Sequence, residues 1–314
     1  MSMHPTQPEL GAPERAKMTL PRLSEMKFAA EPIVMVTAYD HPSAQVAEAA
    51  GVDIVLVGDS AAMTVLGYDS TVPVGMEEMV MLAAAVRRGL RTPLLVGDMP
   101  FGSYERSDEQ AIENAQRFIK EAGCDAIKLE RGGASVDRAR AIIRSGIPVM
   151  GHVGLTPQTA TALGGFKAQG KTADVAARVA EDALALQAAG CFAVVFEAIP
   201  AGVTEVLMAQ MSTAAVIGIG AGPATDGQVL VFHDLLGIFG GHSAKFVKRY
   251  AEVRAEMVRG VSEYAAEVRR RTFPAEEHTY AIDPAELDAL RSFLEHESRA
   301  AEDSFGGDWS ATEI

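Results

Sequence analysis

Short apolar runs alternate with longer amphipathic stretches along most of this chain, the βαβα pattern of a parallel sheet. Eight such runs occupy residues 33–37, 53–57, 93–97, 125–129, 147–151, 192–196, 214–218 and, least clearly, the stretch around 229–232. Helical periodicity fills the intervals 76–90, 108–122, 135–145, 173–189 and 203–211. Eight strand-helix units favour an α/β chain closed into a single (β/α)8 TIM barrel over an open sheet. Three segments repeat one module: EAAGVDIVLVGD at 48–59, KEAGCDAIKLE at 120–130 and QAAGCFAVVFE at 187–197. Each reads as a helix end, a glycine suited to a left-handed C-terminal position, a buried strand and a carboxylate at the strand's end.

The last helical pattern, 245–271, places Tyr250, Val253, Met257, Val261, Tyr264 and Val268 at steps of three and four, which predicts one buried stripe. From Phe273 onward the pattern stops. The remaining acidic stretch holds one brief helical candidate, 284–296, and is otherwise expected to be irregular, with Phe305 and Trp309 solvated. The predicted organisation is a flexible N-terminal arm (1–18), a barrel (19–281) and an acidic C-terminal tail (282–314). Thr19, Leu20, Leu23 and Met26 suit a short N-terminal helix that closes the bottom of the barrel.

Charge narrows the function classes. The formal net charge is −14, and no basic stripe occurs, so neither nucleic acid nor an anionic membrane surface is expected as partner. Eleven acids against two arginines after position 275 carry most of that charge, leaving a mildly acidic body. No apolar run reaches the roughly 18 residues of a membrane span. The two cysteines, Cys124 and Cys191, precede strands, form no CxxC motif and read as small buried apolar residues; with no leader pattern, a reducing cytoplasm is the expectation.

At the C-terminal strand ends, where a barrel gathers its catalytic groups, lie Asp59 and Ser60, Asp98, Lys128 and Glu130, His152 and Glu197. Each alone has a structural reading: Asp59 or Asp98 capping a turn, Glu130 pairing with Arg131, His152 satisfied in the core. Together, four carboxylates around one mouth would repel, and a divalent cation would relieve them. Oxygen-rich, thiolate-free ligation suits Mg²⁺ or Mn²⁺. Such an ion beside Lys128 would chelate a 2-oxo acid and acidify the adjacent C–H. Glu197, on an apolar strand beside Val194, Val195 and Phe196, is suited to take up that proton, although geometry of this kind does not by itself separate base from ligands.

The motifs VTAYD at 36–40, VGDS at 57–60, GYDST at 67–71, GDMPF at 97–101, IKLE at 127–130, GHVGLTPQ at 151–158, FEAIP at 196–200, IGIGAG at 217–222 and TDGQ at 225–228 closely resemble ketopantoate hydroxymethyltransferases. The likeness spans roughly residues 19–281. It implies transfer of a one-carbon unit from 5,10-methylenetetrahydrofolate to 3-methyl-2-oxobutanoate, giving 2-dehydropantoate on the route to pantothenate and coenzyme A. It also implies one Mg²⁺ per subunit on Asp59 and Asp98, with Glu130 completing the site directly or through water. Asp59, Ser60, Asp98 and Lys128 would contact substrate, and Glu197 would be the proton acceptor. In that scheme the enolate attacks a formaldehyde-level carbon released from the folate as an iminium. His152 is an accessory candidate that orients a ligand or lines the folate side. A homo-oligomer, a homodecamer in the family, is implied by the likeness alone.

Two alternatives stay open on sequence. One is another metal-dependent enolate enzyme, such as a 2-oxo-acid carbon–carbon lyase; the other is a non-catalytic ligand-binding barrel. The glycine run 218–222 fits neither a Rossmann fingerprint nor a P-loop and reads as close backbone packing at the mouth. The stretch 164–172 reads equally as a lid or as a surface loop.

Overall fold

The structure, a computed structural model, describes residues 15–241 and 244–305. They form two compact units, the first ending at Arg254 and the second starting at Ala255. In the first, β1 (Ile33–Thr37), β2 (Ile54–Val57), β3 (Leu94–Asp98), β4 (Ala126–Lys128), β5 (Val149–Gly154), β6 (Ala193–Glu197), β7 (Ala215–Ile219) and β8 (Gly227–Leu230) close in that order into a parallel barrel. Closure runs through β1, where Ile33 to Val36 register with Gly227 to Leu230. Parallel strands covered on both faces explain the near-continuous apolar runs, and β2 and β3 are buried at every position.

Alternate strand residues, among them Met35, Ile54, Val96, Met150 and Ile217, fill the barrel. The other set packs outward against the helices. Preceding β1 is α1 (Leu20–Phe28), capped by Thr19, whose hydroxyl accepts the Arg22 N–H at 3.3 Å. Its Leu23 and Met26 join the interior cluster and so plug the N-terminal end as expected. Then follow α2 (His41–Ala50), α3 (Ala61–Thr64), α4 (Met76–Gly89), α5 (Asp108–Lys120), α6 (Ala134–Arg144), α7 (Ala173–Ala189), α8 (Ala201–Met208) and α9 (Phe232–Leu235). α2 and α7 end on left-handed Gly51 and Gly190, at φ 73° and 101°, the module predicted from the repeats. Close helix-strand approach sets Gly97, where a Cβ would lie 2.5 Å from the Phe118 ring of α5.

Several expectations are corrected. No helix joins β7 to β8: Gly220, Gly222 and Pro223 turn the chain within a connection too short for one. The expected loose arm is docked over residues 15–18, by Arg15 to Asp53 at 3.0 Å, Lys17 to Asp125 at 2.6 Å and the Met18 N–H to the Thr92 carbonyl at 2.7 Å; residues 1–14 lie outside the described residues.

The final helical pattern begins later than expected, as α10 (Val253–Arg270), and its stripe is not buried: Met257, Val261, Tyr264 and Val268 are all exposed. Periodicity marks a face that wants a partner without saying which surface supplies one. In the second unit Phe273 packs on Tyr264 edge-to-face, with ring centroids 5.5 Å apart. The tail is not irregular, because α11 (Pro284–Phe305) runs well past the predicted 284–296. No Gly or Pro interrupts that segment after Pro284, so nothing ends the helix early. Trp309 lies outside the described residues.

Candidate active site

Strand ends carry the predicted groups to one place. Asp59, Ser60, Asp98, Lys128, Glu130, His152 and Glu197 all line a single cavity of about 610 Å³. Asp98 is the last residue of β3, Lys128 of β4 and Glu197 of β6, while His152 lies within β5. Arg131 and Ala198, directly after Glu130 and Glu197, hold left-handed backbone at φ 77° and 49°. Such strain in non-glycine residues persists where surrounding contacts fix it, commonly beside functional groups.

Lys128 is the electrostatic centre. Its Nζ donates to Asp98 Oδ1 at 2.7 Å and Oδ2 at 2.8 Å, and to Glu130 Oε1 at 3.4 Å. Burial would discharge the amine, but Asp98, Glu130 and Asp59 hold its pKa above the ordinary lysine value. Burial, then the neighbouring Asp98 and Glu130 charges, push the Asp59 carboxyl well above the usual carboxylate range. Asp98 is raised too, by burial first, with Lys128 opposing. Burial acts on Glu130 in the same direction, but Lys128 and His152 outweigh it and the carboxyl ends below its ordinary value.

His152 stands between two acids, with Nδ1 3.2 Å from Glu130 Oε1 and Nε2 3.2 Å from Glu197 Oε2. The second approach is an ion-pair contact without hydrogen-bond geometry, so Nε2 has no hydrogen-bond partner. Burial disfavours the imidazolium, yet Glu130 and Glu197 draw its pKa up to about 9. His152 is thus a buried cation at neutral pH. Glu197 keeps 16% of its side chain exposed, whereas Glu130 keeps 1%. Its desolvation is therefore only partial, and it is the more accessible of the two to a ligand. The structural alternative for Glu130 fails, since its charge partners are Lys128 and His152 rather than Arg131.

Sequence reasoning missed three neutral residues. Gln158 Nε2 donates to Asp59 Oδ2 at 3.0 Å and to the Met99 carbonyl at 2.9 Å, while its backbone N–H donates to Glu130 Oε2 at 3.2 Å. Tyr104 donates to Gln158 Oε1 at 2.6 Å and accepts the Glu130 N–H at 3.3 Å. The Tyr39 hydroxyl lies 2.8 Å from Ser60 Oγ. Gln158 and Tyr39 lie inside recognisable motifs, but nothing in their type or spacing announces these contacts. Phe166, Lys167 and Ala168 of the stretch 164–172 line the cavity. The glycine run does pack closely: a Cβ on Gly220 would meet the Phe246 ring at 2.5 Å, and one on Gly222 would meet Ala201 at 2.6 Å.

A family model described as ketopantoate hydroxymethyltransferase matches residues 17–276, the whole barrel with its site. The chain belongs to the ketopantoate hydroxymethyltransferase family. A 3-methyl-2-oxobutanoate hydroxymethyltransferase of Heliobacterium modesticaldum is 50% identical over 267 residues, covering 85% of this chain and 96% of that protein. One of Deinococcus radiodurans is 50% identical over 284 residues, covering 90% and 100%. Among solved structures, a phosphoenolpyruvate phosphomutase from Streptomyces platensis superimposes with a TM-score of 0.54 at 16% identity, covering 89% of this chain and 98% of that one; it shares the fold. As a ketopantoate hydroxymethyltransferase family member the chain is a transferase of hydroxymethyl groups, which decides against the lyase and the non-catalytic barrel.

Family membership raises the question of a metal. Among the described residues, no three His, Cys, Asp or Glu side chains are arranged to hold an ion. Glu130 is engaged elsewhere, with Oε1 facing Lys128 and His152 and Oε2 accepting the Gln158 N–H, and both Asp98 oxygens accept from Lys128. The expected repulsion is therefore relieved in part by two protein cations. Asp59 and Asp98 stand side by side on the cavity wall, Asp98 Oδ2 accepting the Asp59 N–H at 3.0 Å, and burial with the Asp98 charge strains the Asp59 carboxylate; the pair could hold a cation where Lys128 yields its share of Asp98. Two carboxylates with the remaining positions left to water and substrate suit Mg²⁺, which demands few protein ligands.

Proposed function

We propose that this cavity transfers a hydroxymethyl group from 5,10-methylenetetrahydrofolate to 3-methyl-2-oxobutanoate through a C3 enolate, with Mg²⁺ held by Asp59 and Asp98. The carrying observation is the buried Lys128, clamped by Asp98 and Glu130, facing the same space as the more accessible Glu197. Fixed positive charge stands where negative charge would develop, across from a carboxylate able to accept a proton.

When bound, Mg²⁺ would supply Lewis-acid charge at the keto and carboxylate oxygens of the substrate. Lys128 presents its ammonium to the keto oxygen, and Ser60, supported by Tyr39, offers a hydroxyl to the same ligand. Glu197 takes the C3 proton. The His152 imidazolium, held on its far side by Glu130, orients Glu197 through its Nε2 edge. C3 then forms the new bond to the donor carbon, one water enters overall to supply the hydroxyl oxygen, and tetrahydrofolate leaves. Glu130, engaged by Lys128, His152 and the Gln158 N–H, would support the metal site as a further negative charge. The same reading makes the working form a cytoplasmic homo-oligomer, a decamer; support for assembly is family membership alone, and sedimentation velocity measures it.

Purified protein supplied with keto acid, 5,10-methylenetetrahydrofolate and Mg²⁺ should form 2-dehydropantoate, and chelation should stop it. Absence of product with all three present would overturn the proposal.

A further inference from the structure

The cavity is far larger than a small branched keto acid requires, and its wall is divided. Groups for the keto acid come from the ends of β2 to β6, one arc of the barrel. The complementary arc, from β7 and the chain after β8, is apolar, with Ile219, Val231, Phe239, Phe246 and Val247. One carboxylate interrupts it: Asp234, in α9.

Among the described residues, no hydrogen bond fixes the Asp234 side chain, although the residue stands in the first turn of α9. It lies inside the short α9 and does not cap it. Its carboxylate makes no hydrogen bond to any described residue; the nearby Arg249 pairs with Glu252 at 3.7 Å instead. The side chain is half-buried, and burial raises its pKa against the opposing Arg249 charge. A half-buried carboxylate with both oxygens free of described protein donors is positioned to take donors from a ligand.

On the reading of the function given above, the second ligand is a reduced folate. Its pterin is a flat bicycle that suits an apolar slot, and its pyrimidine edge carries a ring N–H beside an amino group. Two adjacent donors match the two oxygens of one carboxylate. We propose that Asp234 anchors the pyrimidine edge of the pterin, with Phe239, Phe246 and Val247 walling the ring, and so aims the donor carbon across the cavity at the keto acid beside Glu197. Lys167 and Lys245, the lysines of the lining other than Lys128, are placed to receive the acidic tail of the folate.

The test compares wild type with Asp234→Asn and Asp234→Ala, in the full chain, by steady-state kinetics in both substrates. A charge-assisted pair contributes about 1.5–3 kcal/mol, so loss of the carboxylate should raise the KM for 5,10-methylenetetrahydrofolate roughly 10- to 100-fold. The KM for 3-methyl-2-oxobutanoate and its donor-free C3 hydrogen exchange in D₂O should stay within about twofold, which also shows that the variants fold. An unchanged donor KM in both variants would overturn the assignment while leaving the function intact. So would parallel loss of exchange and donor use, which would make Asp234 a prop of the keto acid site. Wild type that exchanges C3 yet takes no carbon from the folate would overturn the functional reading, and this assignment with it.

Discussion

Lys128 Nζ lies 2.7 and 2.8 Å from the two carboxylate oxygens of Asp98, with both side chains buried at the end of adjacent strands. The ion pair is the internal counterweight of the site: the ammonium offsets the Asp98 charge on the wall of the substrate space. Removing one partner of a buried pair costs about 3–5 kcal/mol. Lys128→Met should therefore lower the denaturation midpoint and abolish turnover. Because only the His152 imidazolium would then relieve Asp59, Asp98 and Glu130, the stability loss should grow as pH rises from 5 to 8; a pH-independent loss in urea titrations would show that the ammonium does not hold the cluster together.

Gln158 ties Asp59 to Glu130, and Tyr104 fixes Gln158. Partners of this kind orient metal ligands and typically affect affinity 10- to 100-fold. Gln158→Leu should weaken Mn²⁺ binding, followed by the electron-paramagnetic signal of the free ion, by at least tenfold. An unaltered Mn²⁺ isotherm would remove Gln158 from the account.

The pH dependence of the metal-free protein follows from His152. Its folded pKa, about 9, exceeds the ordinary 6.5. The stability it contributes is fully present below pH 6.5 and is lost as pH rises through 9. Thermal scans should show the midpoint falling across that window, and His152→Gln should flatten the fall. A midpoint that rose from neutral pH to 9 in wild type would contradict the charged imidazole.

Asp59 and Asp98 have the same sign for a different reason. Both are raised above the ordinary 3.8, so their contribution is present below that pH and lost as pH rises through the folded values. A divalent cation bound to the ionised pair reverses that loss. Mg²⁺ should thus raise the melting temperature more at pH 7.5 than at roughly pH 5, where protons compete for the same oxygens. Equal stabilisation at both would separate the metal from these carboxylates.

What the sequence made legible has a physical basis. A carboxylate directly after a buried apolar run, as in Asp98 and Glu197, announces a strand end, and parallel closure makes all such ends neighbours. Gly51 and Gly190 announce left-handed helix ends because few other residues adopt that backbone easily. Gln158 stayed illegible, since a neutral amide acquires its role through a contact to Asp59 that is 99 residues away in the chain. The α10 stripe misled in the opposite direction: Met257 and Val261 repeat as buried residues do, yet they are exposed. In α11, an acidic composition suggested irregular chain where the absence of helix breakers between Pro284 and Gly306 in fact governed.

In the proposed reaction, C3 of the keto acid surrenders its hydrogen to Glu197. Proton NMR of 3-methyl-2-oxobutanoate in D₂O, with the protein and Mg²⁺ but no folate, measures that step alone. The C3 proton signal should disappear with wild type, at a rate lowered at least 100-fold in Glu197→Gln, consistent with the weight of a positioned base. Exchange at the wild-type rate in that variant would contradict it.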